Sequence, residues 1–117
     1  MRYHLRHSHD WLVRFGDGTD ESHRRVQAAL DHLWAYTQEF WTTSPLEAAA
    51  ADQGLDLSSV RTAWQHTVRT CLAEATLIAP ADGGYVSQGK TGLHSEHLGY
   101  VLAEMQSLAR AHPQGQW

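Results

Sequence analysis

The stretch of sequence that decides the fold is DESHRRVQAALDHLWAYTQEF, residues 20–40. One side of this stretch is apolar at the three- and four-residue spacing of an α-helix. The positions on that side are Val26, Leu30, Leu33, Trp34, Thr37 and Phe40, followed by Trp41. Asp20 and Glu21 fall in the first turn, where the positive end of the helix dipole favours carboxylates. The pattern predicts a helix from about Asp20 to about Phe40.

Turn and capping signals divide the sequence before and after this helix. A helix with an irregular apolar stripe is predicted over Arg2 to Arg14. The turn Gly16-Asp17-Gly18-Thr19 supplies its C-terminal glycine and the N-cap of the next helix. Ser44-Pro45-Leu46-Glu47 is a capping box with proline at the first helical position. It predicts a short helix that stops at Gly54.

Two more helices are predicted in the C-terminal half, from about Ser58 to Thr76 and from a cap at Ser95 to about Pro113. The glycine-rich residues 77–93 predict an irregular connection. The apolar stripes expected to face the core are Val60, Trp64, Thr67, Val68, Cys71, Leu72 and Ala75, then Leu98, Val101, Leu102, Met105 and Leu108. No segment alternates as a strand would. The fold class is therefore all-α, a helical bundle, with residues 1–117 forming a single domain.

Composition narrows the functional classes. The 117 residues carry a net charge of −4 with scattered basic side chains, which argues against nucleic acid and anionic membrane as partners. No apolar run reaches the length of a membrane span and no signal-peptide pattern opens the chain, so the cytoplasm is the expected location. The single cysteine, Cys71, excludes an internal disulfide and is expected to be a buried, inert thiol.

Nine histidines invite a metal hypothesis, and three groups of them stand near carboxylates. His4, His7 and Asp10 share one predicted helical face, a spacing that can chelate a transition metal but is commoner among exposed polar residues. The segments Asp20-Glu21-Ser22-His23 and His94-Ser95-Glu96-His97 fall at helix starts, where capping explains their polar residues. We assign no catalytic, cofactor-binding or metal-binding residue.

Several short runs of residues near the two ends of the chain form an ordered set of sequence motifs. They are Arg2-Tyr3-His4-Leu5-Arg6-His7-Ser8, Asp10-Trp11-Leu12-Val13-Arg14, Gly16-Asp17-Gly18-Thr19, Glu21-Ser22-His23, Gly92-Leu93-His94-Ser95-Glu96-His97-Leu98-Gly99, Leu102-Ala103-Glu104-Met105-Gln106 and Trp117. This set resembles the C subunit of the bacterial phenylacetyl-CoA epoxidase complex, a ferritin-like member of the phenylacetic acid degradation protein family. The resemblance covers essentially the whole chain.

The resemblance implies a non-catalytic, all-α structural subunit of the epoxidase in aerobic phenylacetate degradation. Such subunits are roughly twice this long, and the first helix of this sequence lacks a start signal. The sequence is therefore expected to be the C-terminal half of a ferritin-like subunit, with a partial ferritin-like fold. The implied partners are the di-iron oxygenase subunit and its reductase, in a homo- or hetero-oligomer. The oxygenase has Glu-x-x-His where this chain has Met1-Arg2-Tyr3-His4, so no cofactor is expected here.

Two alternatives stay open. One is a free-standing helical homo-oligomer without a role in the epoxidase. The other is a small metalloprotein that binds iron or zinc through His4, His7 and Asp10 or through Asp20 and His23. The large rings of Trp11, Trp34, Trp41, Trp64 and Tyr100 are expected mostly to fill the core, although aromatic rings are also favoured anchors of interfaces.

Overall fold

A computed structural model describes residues 1–54 and 56–116, and Trp117, the last residue of the C-terminal motifs, lies outside them. The described residues contain α-helices and short 3-10 helices but no strand, which confirms the all-α prediction. The α-helices are α1 (Arg2–Gly16), α2 (Asp20–Leu33), α3 (Pro45–Ala51), α4 (Leu57–Glu74) and α5 (His97–Ala111), and the 3-10 helices are Trp34–Trp41 and Gly89–Thr91.

The chain forms two compact units, Met1–Ser87 and Gln88–Trp117. In the first unit, α1 packs against both α2 and α4. The buried core of this unit is Leu72, Ala75 and Leu77 at the end of α4. Partly buried apolar side chains surround this core; they are Leu12, Val13, Val26, Leu30, Trp34 and Val68. The single-domain expectation stays a prediction.

The connection between α1 and α2 follows the predicted capping chemistry but uses its glycine differently. Thr19 caps α2: its side chain accepts a hydrogen bond from the Ser22 backbone N–H, and the Ser22 hydroxyl accepts one from Thr19 N–H. Gly16 still belongs to α1, and Asp17, which follows it, has a φ of −94° rather than a left-handed value. A Cβ on Gly16 would lie 2.1 Å from the backbone oxygen of Ala75. Glycine is therefore needed here for the close approach of α1 to the end of α4.

The helix predicted to about Phe40 changes type partway. The α-helix ends at Leu33, and residues Trp34–Trp41 continue as a 3-10 helix. Side chains hold this tighter segment: the Thr37 hydroxyl donates to the Trp34 carbonyl at 2.7 Å. The indole N–H of Trp34 donates to Asp82 at 3.0 Å, tying the segment to a distant loop. Such tertiary contacts are not encoded in the apolar spacing that predicted an unbroken α-helix.

The caps of the next two helices differ in how well the sequence predicted them. The predicted capping box at the start of α3 is present, with both reciprocal hydrogen bonds between Ser44 and Glu47. The helix ends at Ala51 and Gly54 follows with a φ of +92°. Helix α4 begins earlier than predicted because Asp56 is its N-cap. Hydrogen bonds from the Ser58 side chain and backbone hold the pKa of the Asp56 carboxyl below its usual value.

In the second unit, two predictions about the last helix are wrong. Ser95 does not cap α5, since Glu96 is the N-cap residue and makes no side-chain capping bond. The predicted core stripe is also largely exposed: Leu102 is 40% exposed, Met105 75% and Leu108 57%. Within Gln88–Trp117, the described residues include one other helical segment, the three-residue Gly89–Thr91. An amphipathic helix alone cannot bury its own stripe.

Candidate functional site

Cys71 lies in the α4 face that packs in the first unit and is 8% exposed. Burial, followed by the nearby Glu74 carboxylate, raises the pKa of its thiol above the ordinary value. The thiolate is the reactive form of cysteine. The geometry therefore confirms the prediction that Cys71 is buried, and the raised pKa disfavours its reactive form.

The histidine and carboxylate groups considered as metal ligands are not gathered in space. Among residues 1–54 and 56–116, no group of three or more histidine, cysteine, aspartate or glutamate side chains lies close enough to hold a metal ion. His4 and His7 are exposed on α1 and lie beside Tyr3, at ring-centroid distances of 5.7 and 5.9 Å. His9, next to Asp10, instead contacts Glu74 of α4, with Nε2 3.0 Å from the carboxylate.

His23 has a structural partner. Its Nδ1 lies 2.8 Å from the carbonyl oxygen of Gly16, so this nitrogen must donate the hydrogen bond. The Thr76 hydroxyl donates to the same oxygen at 3.2 Å. The two side chains therefore satisfy a carbonyl at the C-terminal end of α1. In the other polar group, His94, Ser95 and Glu96 are exposed and precede α5, which starts at His97.

The outer face of α1 bears four aromatic rings at four-residue spacing. These rings, called the aromatic ladder below, are Tyr3, His7, Trp11 and Phe15. Successive ring centroids lie 5.9, 6.3 and 5.3 Å apart. Tyr3 is 63% exposed, Trp11 43% and Phe15 45%. The ladder is thus a continuous aromatic surface in contact with solvent.

Helix α1 is apolar on two opposite faces. At 100° per residue, the ladder points away from Leu12, Val13 and Gly16, which face the core of the first unit. Beyond Phe15 the surface continues into an open hollow of about 480 Å³ between α1 and α2. Phe15, Arg25, Val26 and Ala29 are among its lining residues. Tyr3, Trp11 and Phe15 are each more than 40% exposed on this face, which makes it a candidate interface.

The remaining tryptophans mostly pack against one another. Trp64 of α4 lies between Trp34 and Trp41 of the 3-10 helix, with ring centroids 6.0 and 5.2 Å away. Arg61 covers the Trp41 ring at 5.7 Å. These three rings are partly buried and belong to the packing of the first unit. By contrast, Trp11 and the 72% exposed Tyr100 do not fill a core, so the core expectation is wrong for these two rings.

A second apolar surface lies between α1 and α4. It is a groove of about 450 Å³ whose walls include Leu5, Leu12, Val68 and Cys71, while Arg2 and Arg6 contribute to its lining. Leu5 is 61% exposed there. The described part of the first unit therefore leaves apolar surface uncovered on both sides of α1.

Sequence reasoning weighed Trp11 alone and missed the ladder as a set. The signal was present, because Tyr3, His7, Trp11 and Phe15 are each separated by four residues. Positions four apart stack along one helical face. What the spacing could not reveal was that the opposite face of α1 would be the one packed against α2 and α4.

A family model described as phenylacetic acid catabolic protein matches residues 1–117, and the chain belongs to that family. The chain is 44% identical over 118 residues to the C subunit of the 1,2-phenylacetyl-CoA epoxidase of Escherichia coli (strain K12). That match covers 99% of this chain and 48% of the relative, so the chain spans about half of the relative's length.

None of the helices within residues 1–54 and 56–116 combines the length and the hydropathy needed to cross a membrane.

Proposed function

We propose that this chain is a non-catalytic structural part of a phenylacetyl-CoA epoxidase, corresponding to the C-terminal half of a ferritin-like subunit. Its role is to bind the di-iron oxygenase subunit of the complex, near the site where the reductase docks, in the cytoplasm. The observation that supports the proposal most strongly is the 44% identity to the C subunit of the Escherichia coli epoxidase along 99% of this chain.

The residues at the start of α1 that stand at the metal-ligand positions of the oxygenase support a non-catalytic role. By the resemblance, Met1 stands where the oxygenase has the glutamate of its Glu-x-x-His step, and His4 stands at the histidine. A thioether does not supply the anionic oxygen that a non-haem iron site uses. His4 is exposed and packs its ring beside Tyr3 at 5.7 Å. No step of an oxygenation reaction is therefore assigned to residues of this chain.

The surface of the first unit supports a role in association. Exposed aromatic rings lie along one face of α1, and an apolar groove lies between α1 and α4. Contiguous exposed apolar surface of this kind marks association sites in soluble proteins. A subunit that works by binding a partner needs such a surface.

The proposal is tested by co-expressing this chain with the cognate oxygenase subunit and sizing the products by gel filtration with light scattering. The expected result is co-elution in one peak whose mass corresponds to a defined complex. A fragment of unrelated helical protein of similar size, co-expressed in the same way, is the control. Separate elution, with this chain folded by circular dichroism and associated only with itself, would contradict the proposal and favour a free-standing homo-oligomer.

Iron and zinc analysis of protein purified without a histidine tag addresses the metalloprotein alternative. The proposed structural role predicts metal far below one equivalent per chain. Near-stoichiometric metal that disappears on replacing His4 and His7 with alanine would overturn the non-catalytic assignment of α1.

A further inference from the structure

We propose that the first unit binds a small aromatic carboxylate, one ring with one anionic group, in a pocket between the 3-10 helix Trp34–Trp41, α4 and the loop that follows α4. The pocket has a volume of about 220 Å³. All of its described lining residues belong to Met1–Ser87. The inference goes beyond the proposed structural role and does not depend on it.

Three elements of this chain bound the pocket. Trp34 and Trp41 come from the 3-10 helix, Trp64 from α4, and Asp82 from the loop. The Asp82 Oδ1 atom holds the loop against the 3-10 helix, since it accepts hydrogen bonds from the Trp34 indole at 3.0 Å and from the Gln38 amide at 2.9 Å. The pocket is therefore shaped by contacts within this chain, and its size limits what can occupy it.

The size and the apolar walls of the pocket fit one aromatic ring. A cavity of about 150 Å³ holds a benzene molecule, so about 220 Å³ leaves room for a short arm that bears a carboxylate. Indole rings offer faces and edges on which another ring can pack. Trp64 lies 6.0 Å from Trp34 and 5.2 Å from Trp41, whereas a ring sandwiched between two others needs about 7 Å. The ligand ring therefore packs on the outside of this cluster.

A row of polar side chains on α4 supplies the partners for the carboxylate. Arg61, Gln65 and Arg69 line the pocket and are separated by four residues, so they lie along one side of the helix. Trp64 and Val68 form the neighbouring apolar row. A ligand with a ring and a carboxylate can contact both rows at once. Arginine suits this role because its planar fork of N–H donors matches the two oxygens of a carboxylate.

The charges at the pocket favour an anion over a cation. The charged residues in its described lining are Arg61, Arg69 and Asp82, two positive charges against one negative. Arg61 Nη2 is 4.0 Å from the Asp82 carboxylate, beyond hydrogen-bond distance, and no carboxylate among the described residues pairs with Arg69. A cationic ligand would compete with Arg61, whose guanidinium already lies over the Trp41 ring at 5.7 Å.

The test titrates the isotope-labelled chain with phenylacetate and follows its indole N–H resonances by NMR. Three related compounds separate the features of the ligand: phenylacetamide removes the charge, cyclohexylacetate removes the aromatic ring, and 2-phenylethylammonium reverses the charge. We expect saturable shifts of the Trp34, Trp41 and Trp64 indole resonances, with the Trp11 indole unchanged. The dissociation constant should be on the order of 1 mM, as is ordinary for a ligand of about ten non-hydrogen atoms. Each related compound should bind more weakly by about threefold or more.

Two variants change the pocket, Arg69→Gln and Trp41→Leu. Matched controls, Arg25→Gln and Trp11→Leu, replace an arginine and a tryptophan outside it. Arg69→Gln should weaken phenylacetate binding by about fivefold, and added salt should weaken the binding of the unchanged chain. Trp41→Leu should weaken it by about fivefold as well, while the controls should bind as the unchanged chain does. Circular dichroism checks folding; if Trp41→Leu is unfolded, Arg69→Gln, at an exposed position, decides the question.

None of these measurements involves the oxygenase subunit, so their outcome leaves the proposed function untouched. A lack of saturable binding by the unchanged chain would overturn the inference, and so would equal affinity for phenylacetate and phenylacetamide. Tighter binding of 2-phenylethylammonium would assign the pocket to a cation and overturn it too. Unchanged affinity in Arg69→Gln, with shifts spread over indoles outside the pocket, would show that the carboxylate binds elsewhere.

Discussion

Replacing Gly16 with alanine tests the closest contact in the first unit. The added Cβ would lie 2.1 Å from the backbone oxygen of Ala75 and 2.8 Å from its Cβ. Ala75 is fully buried beside Leu72 and Leu77. Because the oxygen is backbone, it cannot rotate away as a side chain would. Helix α1 and the end of α4 must therefore separate by about 1 Å to restore even a tight van der Waals contact.

The cost of this separation can be worked from the groups it disturbs. Forcing an extra methyl into a packed core costs roughly 1–3 kcal/mol. The Thr76 hydrogen bond to the Gly16 carbonyl, at 3.2 Å, crosses the same contact and contributes roughly 1 kcal/mol if it is lost. Alanine recovers about 1 kcal/mol through its higher helix propensity. We expect Gly16→Ala to lower the free energy of unfolding by about 1–3 kcal/mol.

The assay is urea unfolding followed by tryptophan fluorescence and far-UV circular dichroism. Gly99→Ala is the control, since a Cβ at this position in α5 meets no atom within 4 Å. It should leave stability unchanged or raise it by up to about 1 kcal/mol. Adding Ala75→Gly to Gly16→Ala should restore stability only partly, because the clash with the backbone oxygen remains. A loss below about 0.5 kcal/mol for Gly16→Ala would refute the close approach of α1 to α4.

Three further predictions use the same methods. Leu30→Ala removes a side chain packed on the buried core and should lower the free energy of unfolding by about 2–3 kcal/mol. Leu102→Ala, at a 40% exposed site, should lower it by less than about 1 kcal/mol, and equal losses would contradict the observed burial. The native Cys71 thiol should react slowly with a disulfide reagent at neutral pH and faster as the pH rises or urea is added. Because its pKa is raised in the folded state, stability should fall as alkaline pH ionises the thiol; rapid native reaction at neutral pH would contradict its burial. Asp82→Ala removes the oxygen that accepts hydrogen bonds from both the Trp34 indole and the Gln38 amide, and should cost about 1–2 kcal/mol in urea unfolding, while Asp82→Asn, which keeps a carbonyl oxygen there, should cost less. Identical losses for the two variants would show that these two hydrogen bonds contribute nothing.

The candidate site was only partly predictable from the sequence. From local spacing we assigned no metal-binding or catalytic residue, and this stays a prediction. The ladder residues were visible as a four-residue repeat, but the repeat does not say which face of α1 is covered. Burial depends on what the other helices contact, and these contacts join residues far apart in the sequence, such as Gly16 and Ala75.

The sequence by itself determined the features that depend on neighbouring residues. The all-α class follows from apolar spacing within single helices, and the caps at Thr19 and Ser44 follow from hydrogen bonds that span only three residues. Family membership likewise follows from the order of residues along the chain.

Only the tertiary structure decided what depends on distant contacts. In the folded chain, Trp34–Trp41 is a 3-10 helix, and Gly16 packs against Ala75 instead of forming a left-handed helix cap. The tertiary structure also left the stripe that includes Leu102 exposed while burying the end of α4. The physical reason is that a helix needs only its own backbone hydrogen bonds to form, whereas the burial of any face requires another element to cover it.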